Sequence, residues 1–537
     1  MFRQSMTWLH TWSCLIVCWL LYFMFITGTL GYFENEIDRW MTPEVPVAPL
    51  VSVVDSVHIA QAYLTDNAGD AQNWFIRPPK LGDREARNLH VFWRGLPAAE
   101  KDEPPTRGEA ILSVSSGNVI ENPRETAGGR VLYRMHYLLH YFPNRSGYYI
   151  MAVATMLMFI GLMTGVIAHK KIFRDFFTFR WARGQRSWLD MHNVLSVATL
   201  PFQFMITYSG LLFTISLWMP LIALGAYGFD MDKIRGLQAE LTGVEEAVRS
   251  GEPAPLLPLH TFVQKAEEKL GPGRIRGVNV TFPGDENSRV SVLTFADSVG
   301  RSAGSLIYSG SNGELQHDQI DAKLPGGLQF GGVMIALHEG LFAGPLLRWL
   351  YFLSGVLGAG MIATGAIYWA IKRKPKTHAS DVGPGYRFVE NMNVATIAGL
   401  LVAVGAYFWA NRLLPLGMND RPEWEVHCMF ITWGLCFVHA IVRPMNRAWY
   451  EQCAAVAAVF IGLPLINALT TDTHLINSLL SRDWVMAAFD ATCLVTGLVA
   501  LWVALLLRNR IDSAEARVLM NSTAAQNVAS DEVQTSV

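Results

Sequence analysis

"RSWLDMHNVLSVATLPFQFMITYSGLLF", residues 186–213, places His192 where a polar segment gives way to a long apolar one. Ser187 and Asp190 fit the S-x-x-D capping pattern, which predicts that a helix begins directly after Ser187. A helix needs roughly 20 apolar residues to cross a bilayer. The stretch is therefore typical of a membrane-spanning helix that carries a histidine in its second turn.

The composition predicts a membrane protein. Hydrophobic residues make up 51% of the 537 residues and charged residues only 16%, whereas a soluble chain carries roughly 25% charged residues. The formal net charge is −2, and no basic run is interleaved with aromatic residues away from the apolar segments. A nucleic acid is therefore not an expected partner, and membrane lipid is the expected surrounding.

Hydropathy predicts eight membrane-spanning helices. They cover about 12–33, 147–168, 191–220, 346–371, 393–413, 425–442, 452–469 and 484–507. Lys and Arg cluster in the 169–186 loop and after the fourth, sixth and eighth spans, which predicts that these loops are cytoplasmic. The expected location is the inner membrane of a bacterium, with both termini cytoplasmic and the long polar segments in the periplasm.

The two long polar segments resemble each other. "VDSVHIAQAYL" in the first and "LLPLHTFVQKAEEKL" in the second have helical periodicity, and each is followed by alternating stretches typical of strands. Each segment then continues into a short histidine-bearing helix and a membrane span. A period of roughly 200 residues predicts an internal duplication.

The predicted fold is a membrane all-α bundle with two periplasmic α+β domains. In chain order the segments are a first transmembrane helix (1–33), a periplasmic domain (34–146), two helices joined by a basic cytoplasmic loop (147–220), a second periplasmic domain (221–345), a fourth helix (346–375), a C-terminal four-helix extension (390–510) and a disordered cytoplasmic tail (511–537).

Six histidines lie at two predicted membrane depths. His10, His169 and His192 fall at the cytoplasmic edge, and His136, His140 and His338 fall at the periplasmic edge. Imidazole is a common axial ligand of haem iron, and a bis-histidine b-type haem takes one imidazole from each of two helices. Two such levels predict two haems b and an electron path across the bilayer. Structural zinc and a proton path fit less well, because neither Cys nor acidic residues accompany these histidines.

The pairing within each level stays open. One of the three cytoplasmic histidines is spare or serves a nearby third cofactor, and His10 competes with His169 to be the partner of His192. His136 and His140 are four residues apart on one helical face. Matching "HYLL" to "HEGL" in the second half favours His136, whereas the distance to the following span fits His140 equally well. For each histidine the alternative is an ordinary residue at the membrane interface.

Other candidates are weaker. His427 and His439 are twelve residues apart, about 18 Å along one helix, but no other C-terminal span offers partners at matching depths. Four basic residues near the cytoplasmic level could pair with haem propionates or simply with water: Arg3, Lys170, Arg174 and Arg180.

Three stretches resemble the PepSY-associated transmembrane helix family. They are "LHTWSCLIVCWLLYFMFITGTLGYFENEIDRW", "GVIAHKKIFRDFFTFRWARGQRSWLDMHNVLSVATLPFQFMITYSGLLF" and "LHEGLFAGPLLRWLYFLSGVLGAGMIATGAIYWAIKRK". Bacterial inner-membrane ferric-siderophore reductases and iron-regulated membrane proteins belong to that family. The resemblance covers residues 1 to about 375 and implies a four-helix diheme core with two periplasmic PepSY-like domains. It implies a haem-region role for His10, His136, His169, His192 and His338, whereas residues 390–510 depart from the four-span pattern.

The expected function is a ferric-chelate reductase, acting on a ferric siderophore or another ferric chelate in the periplasm. Reduction to Fe(II) weakens binding by hard oxygen donors and so releases the metal. No G-x-G-x-x-G lies in a strand-to-helix setting, so the electron donor is expected to be quinol, free reduced flavin or a cytoplasmic reductase. The alternatives are a membrane-anchored module without redox chemistry that binds a periplasmic peptidase or envelope partner, and a permease.

Overall fold

The structure is a computed structural model of the whole chain. It describes every residue except 47, 50, 80–87, 97–105, 122–123, 144, 170, 178, 181–183, 219–227, 229, 231–246, 295–303, 321–325, 375–382 and 536–537.

The described residues form helices and one set of strands. The helices are α1 (Phe2–Gly31), α2 (Glu34–Met41), α3 (Val53–Ala68), α4 (Gly128–Met135), α5 (Ser146–Ala168), α6 (Ile172–Phe176), α7 (Gln185–Phe213), α8 (Ile215–Trp218), α9 (Leu259–Leu270), α10 (Gly326–Glu339), α11 (Pro345–Arg373), α12 (Pro384–Ile397), α13 (Gly399–Leu413), α14 (Arg421–Val442), α15 (Met445–Thr470), α16 (Leu475–Leu480) and α17 (Trp484–Thr535). The strands are β1 (Asn73–Arg77), β2 (Leu89–Arg94), β3 (Arg107–Leu112), β4 (Ile275–Thr281), β5 (Arg289–Thr294), β6 (Ser305–Ser309) and β7 (Leu315–Asp318).

Eight of the described helical segments are long and apolar enough to cross a membrane. They are Phe2–Gly31, Ser146–Ala168, Gln185–Phe213, Pro345–Arg373, Pro384–Leu413, Arg421–Val442, Met445–Thr470 and Trp484–Ser513. The eight spans predicted from hydropathy are therefore confirmed, and the chain is a multi-pass membrane protein. The segment from 511, predicted from the sequence to be a disordered tail, continues α17 as far as Thr535. Its Ala, Glu, Arg, Leu and Met residues favour a helix.

The chain divides into two compact units. The first, here called the helical unit, comprises residues 1–43, 124–200 and 353–537. Within it α1 packs along α5, and α15 packs along α17. Small residues allow the second of these contacts, because a Cβ at Gly497 would lie 2.8 Å from the backbone nitrogen of Ile461. Close approach at small residues is a common basis of helix packing in membranes.

The second unit, here called the sheet unit, comprises residues 44–123 and 201–352. Its seven strands form one antiparallel sheet in the order β3-β2-β1-β4-β5-β6-β7. The first three strands come from the first long polar segment and the other four from the second. The sequence pattern predicts a separate domain for each segment. In the structure, however, β1 pairs with β4, for example at Phe75 and Asn279, so the two segments share one sheet. This pairing removes two exposed strand edges.

The core of the sheet unit lies between the sheet and the helices α3 and α9. Leu64 and Phe262 of these helices are fully buried, as are Ile76 and Val278 of the two central strands. Buried and partly exposed residues alternate along β1 and β5, as expected for strands with one face on a core. The two polar segments therefore build one hydrophobic core together.

Asp38, on α2 of the helical unit, holds the start of α4. Its Oδ1 accepts a hydrogen bond of 2.6 Å from the backbone N–H of Gly129. Burial raises the pKa of the Asp38 carboxyl to about 7, and neighbouring Glu34 raises it further, while the Gly129 N–H opposes the shift. Helix α4 ends directly before His136, so this contact fixes the segment that leads to a candidate ligand.

We expect the thermal stability of the protein to fall as the pH rises from about 4 to 7. An unfolded Asp titrates near pH 4, whereas folded Asp38 keeps its proton until about pH 7, so the folded state binds more protons in this window and loses stability as they leave. Asp38→Asn should flatten this part of the profile. Melting temperatures in detergent across that range test it, with exposed Asp66→Asn as the control. An unchanged slope in Asp38→Asn would contradict the prediction.

Candidate functional site

His10 lies on α1 and packs against α5. Its Nδ1 is 2.8 Å from the main-chain oxygen of Gly161. One turn further along α5, a Cβ at Gly165 would lie 3.0 Å from Cε1 of the His10 ring. The glycine at this position therefore leaves the space that the ring occupies.

His192 has the same surroundings on a second pair of helices. It lies on α7, and its Nδ1 is 2.9 Å from the main-chain oxygen of Met361 on α11. A Cβ at Gly365, four residues further on, would lie 3.0 Å from Cε1 of the His192 ring. The same contact thus occurs twice in the helical unit.

The rings of His10 and His192 lie next to each other. Their centroids are 6.4 Å apart and their planes meet at 55°. A carbonyl oxygen can only accept a hydrogen bond, so each Nδ1 carries the proton and each Nε2 keeps its lone pair. A backbone partner at one ring nitrogen is the usual way in which a protein orients the other nitrogen toward a metal.

This pair fits a bis-histidine haem. An iron bound by both Nε2 atoms at about 2 Å would separate the ring centroids by roughly 6 Å, which agrees with the spacing of the rings. Among the described residues no group of three or more His, Cys, Asp or Glu side chains could hold a metal ion. Two imidazoles from different helices are the donor set that a bis-histidine haem would take.

His136 follows α4 and packs against α1. Its Nδ1 is 2.9 Å from the main-chain oxygen of Met24, and a Cβ at Gly28 would overlap its ring. Burial lowers the pKa of His136, which favours the neutral, ligating form of the ring. Met24 lies fourteen residues beyond His10, about 21 Å along α1. Helix α1 thus carries His10 and contacts His136 about 21 Å further along its length.

His140 lies elsewhere, although it is only four residues from His136. Its Nε2 is 3.0 Å from the carboxylate of Glu423 on α14. Of this i,i+4 pair, only His136 has a backbone acceptor at Nδ1 and a glycine beneath its ring.

His338 belongs to the sheet unit. Its Nδ1 is 2.8 Å from Oγ of Ser209 rather than from a carbonyl oxygen. Its ring meets the ring of Phe213 edge to face, with centroids 5.1 Å apart. Ser209 in turn donates a hydrogen bond of 2.6 Å to the main-chain oxygen of Met205.

One local pattern accompanies all four of these histidines. On the neighbouring helix, a hydroxyl residue is followed directly by a glycine. The pairs are Thr164-Gly165 for His10, Thr364-Gly365 for His192, Thr27-Gly28 for His136 and Ser209-Gly210 for His338. This pattern is not among the features predicted from the sequence. The signal was present, since Gly28 and Gly210 each follow the histidine at the start of their own helix by eighteen residues.

The remaining histidine candidates have protein partners. Asn193 donates to Nε2 of His169 at 3.3 Å. The hydroxyl of Tyr141 lies 2.6 Å from Nδ1 of His427, and the carboxylate of Glu451 lies 2.8 Å from Nε2 of His439. The partners named here for His169, His427 and His439 are Asn193, Tyr141 and Glu451.

Two of the four basic candidates for propionate binding have contacts within the described residues. Arg3 donates to the main-chain oxygen of Ala168 at 2.8 Å, and Arg180 forms an ion pair with Asp190 at 2.8 Å. Arg174 lies on α6, and Lys170 lies outside the described residues.

Comparison with known protein families identifies the family of this chain. The sequence profile of the PepSY-associated TM region matches residues 7–372. The chain belongs to this family. A search of curated proteins found no match. The PepSY-associated region contains all six candidate histidines, and the extension from Pro384 onward lies beyond it.

The extension packs against the PepSY-associated region within the helical unit. Trp19 donates to the side-chain oxygen of Asn393 at 2.9 Å, and the hydroxyl of Tyr22 donates to the main-chain oxygen of Ile397 at 3.0 Å. The rings of Phe23 and Trp433 stack with centroids 5.4 Å apart. The extension is therefore held against the middle of α1.

Proposed function

We propose that this protein is a b-type haem oxidoreductase that carries electrons across the bacterial inner membrane and reduces a ferric chelate, such as a ferric siderophore, in the periplasm. The observation that supports it most is the pair of His10 and His192, whose rings are 6.4 Å apart and whose Nδ1 atoms are both held by main-chain oxygens. Haem iron is the metal that two such imidazoles suit.

Two haems are proposed. His10 and His192 would hold the first at the cytoplasmic end; for the second, which the sequence predicts at the periplasmic edge, His136 and His338 remain candidates whose pairing is open. A bound haem supplies a one-electron carrier. The residues of the chain orient the imidazoles through their Nδ1 hydrogen bonds and leave space for the rings at the glycines.

The proposed orientation follows from the basic loops. With the N-terminus in the cytoplasm, the strand-bearing segments face the periplasm, where a ferric chelate would accept the electron. Each Fe(III) takes one electron and becomes Fe(II), which hard oxygen donors bind less tightly. The electron comes from quinol, reduced flavin or a cytoplasmic reductase.

The test is the absorption spectrum of the protein purified from haem-replete cells. We expect b-type bands that sharpen on reduction with dithionite, with about two haems per chain. Mixing the reduced protein with ferric citrate in the absence of oxygen should return the oxidised spectrum, and the Fe(II) formed should match the haem oxidised. A colourless protein would overturn the proposal and favour a binding module or a permease. If ferric citrate does not oxidise the reduced haem, the proposal of a bound haem stands, but the role of this chelate as electron acceptor is overturned.

A further inference from the structure

Two threonine hydroxyls share the main-chain oxygens that hold His10 and His192. Thr164 lies 3.2 Å from the oxygen of Gly161, the acceptor for His10. Thr364 lies 3.0 Å from the oxygen of Met361, the acceptor for His192. Each threonine also reaches the preceding carbonyl oxygen, at 2.6 Å for Thr164 and 2.8 Å for Thr364.

These two main-chain oxygens are crowded with donors. A carbonyl oxygen in a helix has two lone pairs and already accepts the N–H of the residue four positions on. The histidine Nδ1–H and the threonine O–H add two more donors. The threonine hydroxyl therefore competes with the histidine and weakens the hydrogen bond that the imidazole donates.

The strength of the hydrogen bond from Nδ1–H affects the reduction potential of a metal that the imidazole binds through Nε2. A stronger bond from Nδ1–H makes the imidazole more basic and a better donor through Nε2. A more basic axial ligand stabilises ferric over ferrous iron and lowers the reduction potential, for which hydrogen bonding around the ligand is an established lever.

We propose that Thr164 and Thr364 are positioning residues that raise the reduction potential of the haem held by His10 and His192. The inference rests on the proposed function, because it needs a haem at this pair. Neither threonine touches a ligand ring through its hydroxyl; each acts through the shared carbonyl oxygen. The expected effect on the potential is larger for Thr364, because its hydroxyl lies at nearly equal distances from two carbonyl oxygens. The hydroxyl of Thr164 lies much closer to the oxygen of Ile160 than to that of Gly161.

The test is a redox titration of the haem-loaded protein with valine and serine variants. Valine keeps the shape of threonine and removes the hydroxyl, whereas serine keeps the hydroxyl. Thr364→Val should lower one midpoint potential by roughly a two- to fivefold change in the equilibrium constant, about 20–40 mV for a one-electron couple. Thr364→Ser should restore the original potential, and Thr164→Val should give a smaller decrease.

Thr199 provides the matched control. It is buried on α7 and donates to the main-chain oxygen of Leu195 at 2.7 Å. No histidine donor to that oxygen is found among the described residues. Thr199→Val should therefore leave both potentials unchanged.

The outcomes separate this inference from the proposed function. A protein that binds no haem overturns both. A protein with full haem content whose potential is unchanged or raised in Thr364→Val overturns this inference alone, as does an equal decrease in Thr199→Val. If Thr364→Val does not fold, Thr164→Val decides by the same criterion.

Discussion

Replacing His192 with alanine is expected to remove one of two haems and leave the other in place. The substitution deletes one of the two proposed axial ligands and leaves His10 as the remaining imidazole of the pair. His10→Ala should give the same loss. His136→Ala should instead remove the other haem, because its contact on α1 lies about 21 Å away. Haem content and the difference spectrum of each purified variant measure this directly.

Two neighbouring histidines serve as controls for this result. His140→Ala and His169→Ala should keep both haems, because their ring nitrogens contact Glu423 and Asn193. Gly365→Leu should act like His192→Ala without removing a ligand, since even a Cβ at this position lies 3.0 Å from the His192 ring. Full haem content in His192→Ala, or a haem lost in His169→Ala, would contradict the assignment of His10 as the partner of His192.

The helices and the family could be predicted from the sequence because both depend on local signals. Hydropathy over some 20 residues found the eight spans, and the three quoted stretches identified the family. The pairing of histidines could not be predicted in this way. Whether His10 or His169 faces His192 depends on which helices are neighbours, and the choice between His136 and His140 depends on a glycine more than a hundred residues earlier, Gly28.

The shared sheet also depends on contacts that are distant in sequence. β1 and β4 are about 200 residues apart, and the pattern of each strand is satisfied equally by a separate small domain. The extension presents a related difficulty. Its membrane spans were identified by hydropathy. It also contains a buried ion pair at its contact with the PepSY-associated region, and the two charged residues of that pair look in sequence like ordinary charges at a helix end.

That ion pair joins Arg421 and Glu425 at the start of α14. Both side chains are fully buried, and Arg421 Nη1 lies 2.6 Å from Glu425 Oε1. Glu425 also accepts hydrogen bonds from Thr126, at 2.6 Å, and from Asn411, at 2.8 Å. Thr126 lies just before α4, which leads to His136, and so the pair connects the extension to that segment.

Removing one partner of this pair should cost far more than removing both. Arg421→Met leaves the Glu425 carboxylate buried without its counter-charge, which destabilises a protein by about 3–5 kcal/mol. In Arg421→Met/Glu425→Leu both charges leave together, so the double variant should be more stable than Arg421→Met. Unfolding in mixed micelles measures the free energies, with the exposed pair Arg447 and Glu515 as the reference, where Arg447→Met should cost about 0–1 kcal/mol. A double variant less stable than Arg421→Met would show that the hydrogen bonds to Thr126 and Asn411, rather than charge compensation, hold the extension in place.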